Sequence, residues 1–297
     1  MKNFAIITDS CSDLSRELMD RYSIDYVPMH VRYDDKEFAA SLDWEKISAQ
    51  DFYDIMRNGT RIFTTQVTAS QYTEKFEKLI NEGYDILSIS CSSALSASIN
   101  SSIMAKDEVL KKYPDSKIIC IDSLTSSGSL ALMCIKAAMM RDEGKSIEEC
   151  AAWIEENKLR FGMEGTPEKL TYLKNAGRVS AASSFFGGLL NIKPIIISDA
   201  KGRNAAVEKV KGRKNSLARI VKRFKDEYIP TDLPIVISHA DCPDEAEVLK
   251  SMVLDAIEDK STPVYTVYIG PCVGASCGPG MIALFGYGKE VTAGLED

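Results

Sequence analysis

Tyr84-Asp85-Ile86-Leu87-Ser88-Ile89-Ser90-Cys91-Ser92-Ser93-Ala94-Leu95-Ser96-Ala97-Ser98-Ile99-Asn100-Ser101-Ser102 is the stretch that decides the fold. Tyr84 to Ile89 is apolar enough for a buried strand, and Met104, Val109 and Leu110 mark one face of a following helix. Hydroxyls crowd the handover between the two. At such a junction the first helical N–H groups lack partners and the helix dipole is positive, which suits a small anion. No Lys or Arg lies between Gly83 and Ala105, so a single carboxylate fits better than a highly charged phosphate. A Ser-rich helix cap without a ligand is the competing reading.

Outward from this junction, the first half alternates short β-rich runs with helical patterns. Candidate strands are Phe4–Ile7, Tyr26–Tyr33, Ile86–Ile89 and Ile118–Ile121; candidate helices are Asp13–Arg21, Trp44–Arg57, Ala69–Asn81, Ser102–Lys112 and Gly128–Glu143. That alternation predicts a parallel sheet covered on both faces. Asp9-Ser10 and Asp122-Ser123 both follow strands, where α/β folds keep their clefts and where Asp and Ser also cap helices. An amphipathic helix over Ser146–Lys158 closes this half. Beyond it, Gly162–Thr166, Ile192–Ser198, Ala205–Val210, Pro234–Ser238 and Val264–Ile269 read as strands, and the turn signal Asp199-Ala200-Lys201-Gly202 implies antiparallel pairing. The expected architecture is α/β in two lobes. An N-terminal domain (1–160) carries the parallel sheet and the hydroxyl-rich loops. A C-terminal α/β domain (161–297) carries a mainly antiparallel sheet, with the ligand between the lobes.

The 297 residues are 45% hydrophobic and 27% charged, with a net charge of −7, as in an ordinary globular protein. Apart from Lys209–Arg223, read as a wet helix face or a docking surface, cations are dispersed. That disfavours a nucleic-acid partner. No stretch matches a secretory signal or a membrane span, so a cytoplasmic location is expected. Eight scattered cysteines form no C-x-x-C pair, and only His30 and His239 are present. Reduced thiols and no metal site are therefore expected.

Three further segments bear on function. Phe63-Thr64-Thr65-Gln66-Val67-Thr68-Ala69-Ser70 is a second hydroxyl cluster; Thr68 or Ser70 caps the next helix, whereas Thr64 and Thr65 come too early to do so. If this loop shares a sheet end with the Ser-rich loop, Thr64 and Ser96 converge on one ligand group. Around Gly177-Arg178-Val179-Ser180, Gly177 permits a tight helix end. Phe185, Phe186, Leu189 and Leu190 offer an apolar surface, either core or the wall of a lipid site. Gly274-Ala275-Ser276-Cys277-Gly278 matches G-x-S-x-G, but no histidine follows Ser276, and Pro279 and Gly280 oppose an immediate helix; a Gly-rich turn is the better reading. His239 ends a strand and reads as structural rather than as a general base. No phosphate loop and no G-x-G-x-x-G occurs.

Taken in order, Thr8-Asp9-Ser10, Thr64-Thr65-Gln66, Ser92-Ser93-Ala94-Leu95-Ser96, Ile121-Asp122-Ser123, Gly177-Arg178-Val179-Ser180, Leu190-Asn191-Ile192-Lys193-Pro194 and Gly278-Pro279-Gly280 resemble the DegV family. The resemblance spans nearly the whole chain. It implies a non-catalytic fatty-acid carrier, some members being the lipid-carrying subunit of a bacterial fatty acid kinase that makes acyl-phosphate. It also implies two lobes with the lipid between them, no cofactor beyond the bound fatty acid, and a carboxylate held by Thr64 and Ser96. Thr65, Ser93, Ser276 and Gly278 are secondary head-group candidates, and Arg178 is a candidate for contacting phosphate or the kinase. The sequence departs from the family at Val67 (usually Pro), at Ala97 and Ile99 (usually Gly and Tyr), and at Ser276 (commonly His). The Ser276 change puts in doubt a cation or proton donor beside the head group. Rival expectations are a Ser-dependent hydrolase or transferase and a sensor plugged by lipid.

Overall fold

A computed structural model describes residues 3–180 and 191–295. Strands β1 (Phe4–Asp9), β2 (Ile24–Val27), β6 (Asp85–Ser90) and β7 (Ile118–Asp122) form one sheet in the order β2-β1-β6-β7, every pair parallel. β6 is buried along its whole length, as a central parallel strand covered on both faces should be. The helices that cover this sheet are α1 (Arg16–Tyr22), α3 (Ala69–Asn81), α4 (Ser98–Lys112), α5 (Ser127–Asp142) and α6 (Ile147–Asn157). Capping boxes start two of them, Thr68 with Gln71 at α3 and Ser146 with Glu149 at α6.

The second sheet contains β8 (Phe161–Thr166), β9 (Ile192–Ser198), β10 (Asn204–Lys211), β11 (Ile235–His239), β12 (Val264–Tyr268) and β13 (Ile282–Tyr287), in the order β10-β9-β8-β13-β11-β12. Only β11–β12 is parallel; the other pairs run antiparallel. Helices α8 (Arg213–Glu227) and α9 (Pro243–Ala256) pack on it. Many cations of Lys209–Arg223 are paired: Arg213 with Glu245, Arg219 with Glu208, Arg223 with Glu164 and Lys222 with Asp226. α5, buried along most of its length, lies between the sheets: Gly128 has no side chain because a Cβ there would meet the Phe285 ring of β13 at 2.4 Å. One apolar cluster is continuous from Ile6 and Ile89 through Leu132 and Ile135 to Phe285. Among the described residues no helix is long and apolar enough to cross a membrane.

The structure corrects several local expectations. Tyr26–Tyr33 is not one strand. Pro28 breaks it, and β2 and β3 (His30–Tyr33) enter different sheets. β3 pairs with β4 (Lys36–Ala39) and with β5 (Phe63–Thr65) in a small antiparallel sheet, so Thr64 and Thr65 lie on a strand, not in a loop. α1 starts at Arg16 rather than at residue 13, because Asp13 is left-handed (φ 53°) after a single 3-10 turn over Ser10–Ser12. Helix α2 (Ala49–Arg57) begins five residues later than the Trp44 start expected, at its Ser48 cap. α4 begins earlier, at Ser98. Pro271–Cys277 is a helix, α10, not a Gly-rich turn: Pro271 sits in its first turn and Gly278, at φ 76°, ends it.

The Asp199–Gly202 turn joins β9 and β10 as an antiparallel hairpin and reaches across to the first sheet. Gly202 (φ 77°) closes the turn, and its carbonyl accepts from Ser92 Oγ at 2.8 Å. A Cβ at Gly202 would lie 2.1 Å from that Oγ and 3.0 Å from Leu124 Cα. Gly202→Ala is therefore expected to cost about 1–3 kcal/mol through strain and displacement of Ser92. Chemical denaturation checks this; an unchanged midpoint would mean that the hairpin tip is not a constraint.

Candidate functional site

A cavity of about 360 Å³ lies between the two sheets, within the range of small-molecule sites. Its inner lining is buried and mostly apolar or sulfur-bearing, with Met29, Met163, Ile196, Met281, Phe285 and the thiols of Cys11, Cys91, Cys272 and Cys277, and it also includes Ser126 and Ser127. Its outer lining is partly exposed and polar, with Thr64, Thr65, Gln66, Ser96, Arg178, Asn204 and Ser276. Arg178 is the only charged residue among the described lining residues.

The polar rim is assembled by hydrogen bonds onto serine hydroxyls between the two hydroxyl segments. Val67 N–H donates to Ser98 Oγ at 3.2 Å, and the Gln66 amide donates to Ser101 Oγ at 3.2 Å, so the end of β5 docks on the start of α4. Ser96 N–H is held by the Ser92 carbonyl at 3.0 Å, and Ser92 is itself pinned by the Gly202 turn. Ser96 Oγ accepts from Ser98 N–H at 3.3 Å and lies 3.0 Å from Ser98 Oγ. With Ser98 able to donate its own hydroxyl hydrogen to Ser96, the hydrogen of Ser96 is left for a ligand. Thr64, opposite Val31 on β3, makes no side-chain hydrogen bond to another described residue. Thr64 and Ser96 both line the cavity.

Of the secondary candidates, Thr65 and Ser276 line the cavity; Ser93 is exposed, with its N–H on Asp122, and Gly278 is a helix end packed on Tyr172, so neither is in the lining. Arg178 reaches the Leu95 carbonyl at 3.4 Å, next to Ser96, and also contacts the Ala176 carbonyl. It lines a second cavity of about 210 Å³ as well, shared with Arg61, Phe63, Thr64, Tyr172 and Ser276. Arg61 stacks over the Phe63 ring at 4.6 Å. Phe185, Phe186, Leu189 and Leu190 lie outside the described residues. His239 is buried, accepts from Cys242 N–H through Nδ1 at 3.3 Å, and packs on Tyr268; burial lowers its pKa. It is not in the cavity lining.

What the sequence reading missed is the inner wall. Met29, Met163, Met281 and the cysteines are spread over the chain with no shared spacing, and tertiary packing alone brings them together around the cavity. Behind this wall are two buried carboxyls. Asp9 accepts from Cys91 N–H (2.8 Å) and Cys11 N–H (2.9 Å), and Asp13 from Gly270 N–H (2.8 Å) and Ser127 Oγ (2.6 Å). Burial outweighs these bonds, raising Asp9 to about 6 and Asp13 to about 8. Both values lie above those of an unfolded chain, so the folded protein binds the extra protons. Their contribution to stability is complete below about pH 4 and is lost as pH rises through about 6 and about 8. The denaturation midpoint should fall as pH rises from about 5 to about 8. In Asp13→Asn the decline above about pH 7 should disappear; an identical pH profile in that variant would refute the assignment.

The geometry has counterparts among known proteins. The DegV family model, described as an uncharacterised protein of that family, matches residues 3–289. A DegV domain-containing protein of Clostridium perfringens is 35% identical over 286 residues, 96% of this chain and 97% of the relative. The solved structure of a DegV lipid binding protein from Thermotoga maritima aligns with a TM-score of 0.85 at 24% identity, covering 98% of this chain and 100% of that one. A Thermus thermophilus structure, described as showing fatty acid binding of a DegV family protein, aligns with a TM-score of 0.85 at 24% identity, covering 97% and 100%. These structures share the fold.

Proposed function

The chain belongs to the DegV family, and on that premise we propose that it is a non-catalytic carrier of one long-chain fatty acid. The observation that carries this reading is the division of the cavity: a buried wall dominated by thioethers, thiols, aliphatic groups and the Phe285 ring, with Ser126 and Ser127 set in it, and a partly exposed polar rim rich in hydroxyls. The tail enters the wall, and the carboxylate accepts from Thr64 and Ser96. The structural neighbours described as lipid-binding and fatty-acid-binding support it.

Magnitudes assign the roles. A tail of about 15 methylenes gains roughly 12 kcal/mol gross on burial at about 0.8 kcal/mol per CH₂, and association costs remove much of it. A hydrogen bond to a charged group is worth about 1.5–3 kcal/mol. The tail therefore supplies affinity and the head group supplies orientation. Hydrolysis is disfavoured, because no histidine, aspartate or glutamate among the described lining residues stands by Ser96 or Ser276 to act as base.

The carboxylate end opens beside Arg178 and the second cavity with Arg61. That placement suits delivery to an ATP-dependent fatty acid kinase, which forms acyl-phosphate where a guanidinium can pair with phosphate. Native mass spectrometry of the purified protein, followed by solvent extraction, should release one fatty acid per chain. Thr64→Ala and Ser96→Ala should each weaken palmitate binding roughly 10- to 100-fold. Arg178→Ala should leave palmitate binding intact and slow acyl-phosphate formation by a partner kinase. A protein that carries no lipid and has no affinity for palmitate would end the carrier reading; unaltered acyl-phosphate formation in Arg178→Ala would end the role of that residue.

A further inference from the structure

Three sulfurs close a triangle in the inner wall. Cys11 Sγ lies 3.4 Å from Cys272 Sγ and 3.7 Å from Met29 Sδ, and Cys272 Sγ lies 3.0 Å from Met29 Sδ. Cys11 belongs to the 3-10 turn after β1 and Cys272 to α10, 261 positions apart in sequence. Both are buried from bulk solvent yet line the cavity, so a small molecule that enters it meets them.

We propose that Cys11 and Cys272 are a modification site, oxidised to a reversible disulfide by an organic hydroperoxide that enters the cavity, and that bound lipid shields them. The shielding rests on the carrier reading above; the disulfide does not. In the reaction one sulfur attacks the hydroperoxide, the O–O bond breaks, an alcohol leaves with the thiol's proton, and a sulfenic acid forms. The second sulfur then displaces water from it, closing the S–S bond. An external dithiol reverses the change by exchange.

Closing from 3.4 Å to a bond of about 2.05 Å needs an approach of roughly 1.4 Å. A metal is the other use of such sulfurs, and the site argues against it. Three bonds of about 2.3 Å need sulfurs about 4 Å apart, wider than the triangle. Among the described residues no group of three or more His, Cys, Asp or Glu is placed to hold an ion. The hydrogen bonds with Cys272 and Cys91, then burial, push the Cys11 thiol up, so Cys11 is a slow nucleophile and the first attack on the hydroperoxide is assigned to Cys272. A disulfide is neutral, so an apolar wall accepts it. Cys277 is turned aside toward the Gly274 and Gly278 carbonyls, and Cys91 also contacts Cys11.

The test treats the lipid-free full-length protein with tert-butyl hydroperoxide and maps non-reduced peptides. The expected result is a Cys11–Cys272 linked peptide, the loss of two hydrogens in intact mass, reversal by dithiothreitol, and no link in Cys272→Ser. Peptide mapping of the wild-type chain needs no variant, so a Cys272→Ser protein that fails to fold leaves the test in force. Thiols that stay free, or a Cys11–Cys91 link in place of Cys11–Cys272, would overturn the pair. Palmitate-loaded protein should form the link at least about tenfold more slowly, since linkage at 100 times Kd leaves about one site in a hundred unfilled. Equal rates with and without palmitate would overturn the shielding and leave the pair standing.

Discussion

Two buried carboxyls at the end of β1 hold the molecule's halves in register. Asp9 ties the turn after β1 to Cys91 at the start of the Ser-rich segment. Asp13, left-handed at the end of that turn, joins Ser127 of α5 and Gly270 before α10. Ser127 Oγ in turn lies 3.3 Å from Ser238 on β11. Four chain segments distant in sequence thus meet on two acids whose pKa values burial raises, and of these Asp13, at about 8, stays protonated near neutral pH. Burying them is tolerable because every oxygen is met by an N–H or O–H donor. Their cost is the pH dependence of stability.

The cavity lies beside this knot, with Cys11 of the turn after β1 and Cys272 of α10 both in its lining. Tyr53 Oη adds a tie, donating to the Ile269 carbonyl at 2.6 Å, and Gly274 is a glycine because a Cβ there would lie 2.4 Å from that hydroxyl. α10 is thus seated tightly enough to place Cys272, Val273 and Ser276 along one side of the cavity. The rim is governed separately, by the hairpin tip at Gly202 acting through Ser92 on Ser96.

Much of the fold was legible because the parallel strands are short apolar runs between amphipathic helices with strong caps. α3 was placed at both ends correctly, since Thr68 and Asn81 bracket a clean apolar period. The Asp199–Gly202 hairpin was legible from turn chemistry. Pro28 hid a change of sheet inside one β-rich run, and β4, β5 and β13 escaped because short or glycine-bearing strands leave little periodic signal. α10 was misread because Gly274 and Gly278 suggest a turn, whereas contacts with α7 (Thr171–Ala176), α2 and β3 hold the segment helical. Thr64 drew notice in the sequence because it comes too early to cap α3, whereas a carboxylate role for Thr64 and Ser96 is what the family resemblance implies.

By itself the sequence determined the α/β class, the parallel first sheet, the antiparallel turn to the second, and the two hydroxyl segments, because these depend on local periodicity and turn residues. Tertiary structure alone decided which residues share a surface. Asp9 and Asp13 became proton-binding through burial, and Cys11, Met29 and Cys272 became neighbours through the packing of β1, β3 and α10. Spacing along a chain records neither, since contact between distant segments is set by how whole elements pack.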